Sequence, residues 1–175
     1  MTEDEQGFQA PQTITPDGLA DDLTVLVSEW EGSSELAELN LVDENGHPDK
    51  RAAEEALIFL MWAHTRGTQQ AFLGRATPEL LKQALDGLHD AVLEDMVDNG
   101  TPRAHLQRFE KRVSKRYAQY HTAAAASDAA LGEAVVHHLT ESSDPSEPYT
   151  KTVTERAVEV TGPLRDYLED VQLVP

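Results

Sequence analysis

The sequence predicts an all-α fold: a single-domain bundle of about five to six helices behind a flexible acidic N-terminal tail. Three observations predict it. Two segments open on Thr-Pro, at Thr77-Pro78 and Thr101-Pro102. In such a pair threonine caps a helix and proline takes the first turn, where its missing N–H costs nothing. Apolar residues recur at steps of three and four through residues 77–139, the period of one helix face. The 175 residues also fit one domain, long enough to bury a core without disulfide or metal staples.

Residues 1–16 hold few apolar groups and two prolines, Pro11 and Pro16, and read as the tail. The helical domain is placed at residues 17–140. A C-terminal extension, packed on the domain or tethered to it, is placed at 141–175. The first helix starts at Asp17, with Leu19, Leu23, Leu26 and Trp30 on one face, although Thr24-Val25-Leu26-Val27 also suits a strand. Gly32-Ser33-Ser34 ends it, Ser34 to Leu41 forms a short helix, and Asp43 to Pro48 is a loop by composition. The second helix runs from Asp49 to Phe72. Its middle is apolar on nearly every side, which makes it the central, most buried one.

The third helix is capped by Thr77, carries the stripe Leu81, Leu85, Leu88, Val92 and Met96, and closes at Asn99-Gly100. Thr101 caps the fourth, whose stripe is Leu106, Phe109, Val113, Tyr117 and Tyr120. Residues 49–120 thus form a three-helix core, with Leu85, Leu88, Val92, Phe109, Val113 and Tyr117 expected inside. A fifth helix, capped at Ser127-Asp128, extends to Leu139 with Leu131 and Val135 on its inner face. Thr140 to Pro148 is polar and reads as a linker. Thr152-Val153-Thr154 and Val158 to Thr161 suit strand or helix. Gly162-Pro163 breaks the chain before a last short helix carrying Leu164, Tyr167, Leu168 and Val171.

Thirty-two acidic residues against 14 basic ones give a formal charge of -18. Such a surface repels nucleic acid and anionic lipid. It fits either a salt-adapted cytoplasm, where dense carboxylates keep the protein solvated, or an acidic face for a basic partner. There is no cysteine, which excludes thiol catalysis, disulfides and thiolate metal sites. The first residues are acidic where a secretory signal is basic and apolar. The apolar run Ala56 to Ala63 spans only about 12 Å of helix, too short for stable membrane insertion. A cytoplasmic protein is expected.

No residue set nominates a catalyst. A Gly-x-Ser-x-Gly elbow, a phosphate-binding glycine loop and a His-Glu-x-x-His helix are all missing. Asp86, His89 and Asp90 share one helical face, and so do Glu133 and His137. Each set is too poor in ligands for a metal site. No cofactor and no catalytic or metal-binding residue is assigned, and a carboxylate or histidine hydrolase is the minor alternative. His64, on the most apolar helix, reads as a hydrogen-bonded core histidine.

The unusual feature is basic. Arg103, Arg108, Lys111, Arg112, Lys115 and Arg116 stand against one acid, Glu110, so this segment carries +5 and the rest of the chain -23. Arg108, Lys111, Arg112 and Lys115 share the face opposite the apolar stripe. That face either pairs internally with Asp86, Asp90, Glu94, Asp95 and Asp98 of an antiparallel third helix, or it docks an acidic partner. Because both apolar stripes must face the core, at least Arg108 and Lys115 should stay exposed. All six cations are therefore assigned as partner-binding residues. A protein is the expected partner, RNA or the ribosome a weaker one. Sequence-specific DNA reading is excluded by the missing Asn/Gln and aromatic pattern. The sequence leaves the oligomeric state open.

The order of features from Glu54 to Leu139 resembles the ubiquinol–cytochrome c chaperone family, assembly factors of the respiratory cytochrome bc complex. An acidic helix bears Leu93-Glu94-Asp95-Met96, followed by a turn at Asn99-Gly100. A basic helix then carries Lys111-Arg112 and Arg116-Tyr117, and a later helix closes on Val135-Val136-His137-His138-Leu139. Ala118 and Gln119 stand where the family has glycine and arginine, a departure that bears on a shared binding surface more than on a shared fold. The resemblance implies a chaperone without catalysis that holds a newly made membrane subunit. The alternative is a cytoplasmic adaptor or regulatory protein, from a salt-adapted organism, that binds a soluble partner.

Overall fold

The computed structural model describes residues 12–28, 42–47, 49–141 and 162–175, with Lys151 and Glu155 besides. The architecture is an all-α bundle. Its helices are α1 (Pro16–Ser28), α2 (Lys50–Ala71), α3 (Pro78–Asp98), α4 (Arg103–Ala126) and α5 (Asp128–Thr140), and α6 (residues 162–169). Two three-residue strands, β1 (Gln12–Ile14) and β2 (Val171–Leu173), pair in parallel with Thr13 opposite Gln172.

The central helix is α2. Asp49 caps it by accepting a hydrogen bond from the Ala52 N–H at 3.0 Å. From Ile58 to Thr65 every residue is buried, as a helix enclosed on all sides requires. At its middle Phe59 and Trp62 stack nearly parallel and both meet Tyr120 of α4 edge to face, with centroids 5.5–6.2 Å apart. His64 is buried, and its Nδ1–H donates to the Leu60 carbonyl at 2.8 Å. Burial holds its pKa below the usual histidine value.

Around α2 the order differs from three helices in sequence. α1 lies along α3. There Gly87 allows the approach, since a Cβ at that position would stand 2.9 Å from the Ala20 Cβ. The buried face of α1 is Leu19, Ala20, Leu23 and Val27, while Leu26 points outward at 40% exposure. The stripe therefore runs at steps of four to Val27 and leaves the expected Leu26 outside. α5 packs on α4 and α2. Leu85, Leu88, Val92, Phe109 and Val113 are buried as expected, and Tyr117 is half-buried.

Thr101 does not cap α4. Its N–H donates to the Met96 carbonyl at 2.8 Å while the Gly100 N–H reaches Val97 at 2.9 Å. With Gly100 at φ +97° this closes α3 in a six-to-one, five-to-two turn. α4 then starts behind Pro102 with no side-chain cap. Ser127, in contrast, ends α4 and caps α5, accepting from the Ala130 N–H at 3.0 Å. The two helices thus form a hairpin hinged on one residue.

The C-terminal residues belong to the same core. Leu164, Leu168, Val171 and Leu173 are buried in it. Arg75, in the turn after α2, donates to the carbonyls of Leu168, Glu169 and Val171 at 2.7–3.1 Å. A guanidinium there satisfies carbonyls that a helix end leaves unpaired. Gly162 and Pro163 are both helical and belong to the described residues of α6. Val171 falls in β2 and not in that helix. Its partner strand corrects the N-terminal reading: residues 12–14 are paired and Pro16 is buried, so at most residues 1–11 remain to the tail, and these lie outside the described residues. Trp30, the segment Ser34 to Leu41, and the stretches 152–154 and 158–161 also lie outside them.

Candidate interaction surface on the basic helix

α4 presents its six clustered cations to two different environments. Phe109, Val113 and Tyr120 turn into the core. Arg116, one helical turn before Tyr120, is drawn in with them. Its Nε and Nη2 each donate to an oxygen of Glu55 at 2.8 Å, a bidentate bond to a carboxylate that is 3% exposed. Arg112 donates to Glu54 at 2.7 Å. The Glu55 carboxylate raises the Arg116 pKa further above its ordinary value. These two arginines are internal fastenings between α4 and α2.

Arg103, Arg108, Lys111 and Lys115 are exposed, and among the described residues none makes an ion pair. Arg108 and Lys115 therefore stand where the expectation put them. The internal pairing expected with α3 is not formed. Asp86 pairs with Lys82 on its own helix, and no ion pair joins the acids of α3 to α4 among the described residues. The physical reason is packing order: α3 and α4 each pack on α2, which brings Glu54 and Glu55 to the cations instead. α3 and α4 meet through His89 and Tyr117. The His89 Nδ1–H donates to the Leu85 carbonyl at 2.6 Å, which leaves Nε2 to accept from the Tyr117 hydroxyl at 2.8 Å. His89 is thereby engaged on both nitrogens and is not available to Asp86 and Asp90 as a ligand. Among the described residues no group of three or more histidines and carboxylates could hold a metal ion.

Beyond Lys115 the same side of α4 opens into a groove. At steps of three and four the row Arg108, Lys111, Lys115 continues to Gln119 and Thr122. These two line an open groove of about 710 Å³ between α4 and α5. Ala123, Ala130 and Ala134 are its half-buried floor, and Glu133, His137 and His138 its far wall. Small floor residues leave the space that larger ones would fill. Burial, and then the Arg116 charge, push the His138 pKa down to about 4, so its ring is neutral near pH 7. At its end α5 is fastened by Arg51 of α2, which donates to the carbonyls of His138 and Leu139 at 2.6 Å. Sequence reasoning missed this groove, because Ala118 to Ala134 reads only as a weakly patterned alanine-rich stretch.

No family model, curated protein or solved structure matches the chain. Among the described residues no helix is long and apolar enough to cross a membrane.

Proposed function

We propose that this chain is a non-enzymatic helical binding protein, acting in the cytoplasm, that docks an acidic segment of a protein partner on the outward face of α4. One observation carries the reading. In a chain of net charge -18, four cations of one helix stand exposed and without an ion pair among the described residues, three of them, Arg108, Lys111 and Lys115, in one row. Solvation alone gives no reason to gather them there, and they take no part in the Glu54 and Glu55 fastenings. From Arg103 to Lys115 they span about 18 Å of helix. That exceeds the screening length of about 8 Å at physiological salt, so a docking segment feels this patch more than the distant acids. A nucleic acid, with a charge every ~1.7 Å, would overhang onto the acidic faces and is disfavoured.

The resemblance to cytochrome bc assembly chaperones supports the same class of function. On that reading the partner is a newly made membrane subunit, held before its cofactors are inserted. The test is a quantitative pull-down from the native host, at matched salt and after nuclease treatment. Parent protein is compared with the variant Arg103→Gln, Arg108→Gln, Lys111→Gln, Lys115→Gln. One protein enriched by the parent should be lost from the variant while the melting temperature stays within a few degrees. A respiratory subunit supports the chaperone and a soluble protein the adaptor. Equal recovery by both forms removes the docking face.

A further inference from the structure

The cationic row and the groove are two halves of one directional surface. Arg108, Lys111 and Lys115 form an exposed charged track, and Gln119 and Thr122 carry the same side of α4 into the space between α4 and α5. From Arg108 to Ala123 this track is about 22 Å long. An extended peptide of about seven residues covers that length.

We propose that the groove seats the apolar end of the partner's docking segment: an extended stretch whose carboxylates lie on Arg108, Lys111 and Lys115 and whose small aliphatic side chains enter between α4 and α5. This rests on the docking role of α4 and adds to it the chemistry and direction of the ligand. Charge complementarity fixes the polarity. The track is purely cationic as far as Lys115. The groove beyond it has an alanine floor and one carboxylate on its wall, Glu133, which repels acidic side chains. Its deepest imidazole, His138, is held neutral near pH 7 by burial and by Arg116. Acidic groups are therefore favoured on one half and excluded from the other, while the ~710 Å³ volume accommodates aliphatic side chains. Gln119 and Thr122 on one rim offer hydrogen bonds to an extended backbone.

The experiment uses the full chain and a fluorescein-labelled synthetic peptide of about seven residues, glutamate-rich at one end and alanine- and leucine-rich at the other. Anisotropy titrations compare the parent with Ala134→Phe, which fills the floor, and with Thr122→Trp, which blocks the rim from an exposed position outside the core. Binding weakened about tenfold or more in both, with unchanged melting, is the expected result. Equal affinity for a peptide of uniform glutamate content overturns the directional assignment. So does binding that survives both blocking variants. If the blocked forms still capture the cellular partner and only the four-glutamine form loses it, the docking face stands and the groove assignment falls. A dimer in light scattering that Thr122→Trp dissolves would make a second copy the occupant, and would likewise overturn the proposal.

Discussion

Replacing Arg116 with methionine should destabilise the fold by about 3–5 kcal/mol, the usual consequence of stranding a buried charge. The structure sets the size. The Glu55 side chain is 3% exposed, and both its oxygens are held by Arg116 at 2.8 Å. The next cation, the Arg112 Nε, is 4.0 Å away, and Arg112 spends its short bond on Glu54 at 2.7 Å. The reverse change, Glu55→Gln, should cost less, about 1–3 kcal/mol. It keeps the shape and one acceptor, and Arg116, 15% exposed, retains Gln119 at 3.3 Å. The double replacement Glu55→Met, Arg116→Met removes both charges and should recover most of the single-mutant loss. Lys111→Gln, on the outward face, should stay within about 0.5 kcal/mol. Urea unfolding with constant slope measures all four. If Arg116→Met costs no more than Lys111→Gln, or if the double change is simply additive, the division of the cations into fastenings and docking groups is wrong.

Stability should fall as pH drops from about 6.5 through about 4, because His138 takes up its proton more readily unfolded than folded. His138→Gln should flatten that part of the curve relative to the parent; an unchanged slope would show that His138 takes no part in it and leave it to buried His64 and the carboxylates. Tyr120→Phe should be neutral or stabilising by up to about 1 kcal/mol, since the buried Tyr120 hydroxyl has no hydrogen-bond partner among the described residues; a loss above about 2 kcal/mol would reveal a partner for it. The melting temperature should rise from low to molar KCl as salt screens a net charge of -18; a flat profile would tie the acidity to binding instead of to salt.

Helix boundaries were legible because caps are local chemistry. Asp49, Thr77 and Ser127 sit one residue before α2, α3 and α5, each accepting a hydrogen bond from the N–H three residues on. What failed was non-local. Thr101-Pro102 looks like Thr77-Pro78, yet Gly100 commits Thr101 to closing α3. Three-residue strands such as β1 and β2 lack a detectable alternation, and their partners lie at opposite ends of the chain. Arg51 and Arg75 bond backbone carbonyls, which every residue carries, so no spacing could announce them. The exposure of Arg108 and Lys115 followed from helical geometry alone. The acids that Arg112 and Arg116 would find depended on which helix lay beside α4, and stripes alone do not order helices around a core.

The claim that α4 is the working surface is tested most directly by amide hydrogen exchange of the full chain, alone and with the captured partner. Slowed exchange should be confined to α4 and the facing side of α5, from Arg103 to His138, while α1 and α3 exchange as before. Protection over the acidic outer faces of α1 and α3, with α4 unchanged, would contradict it.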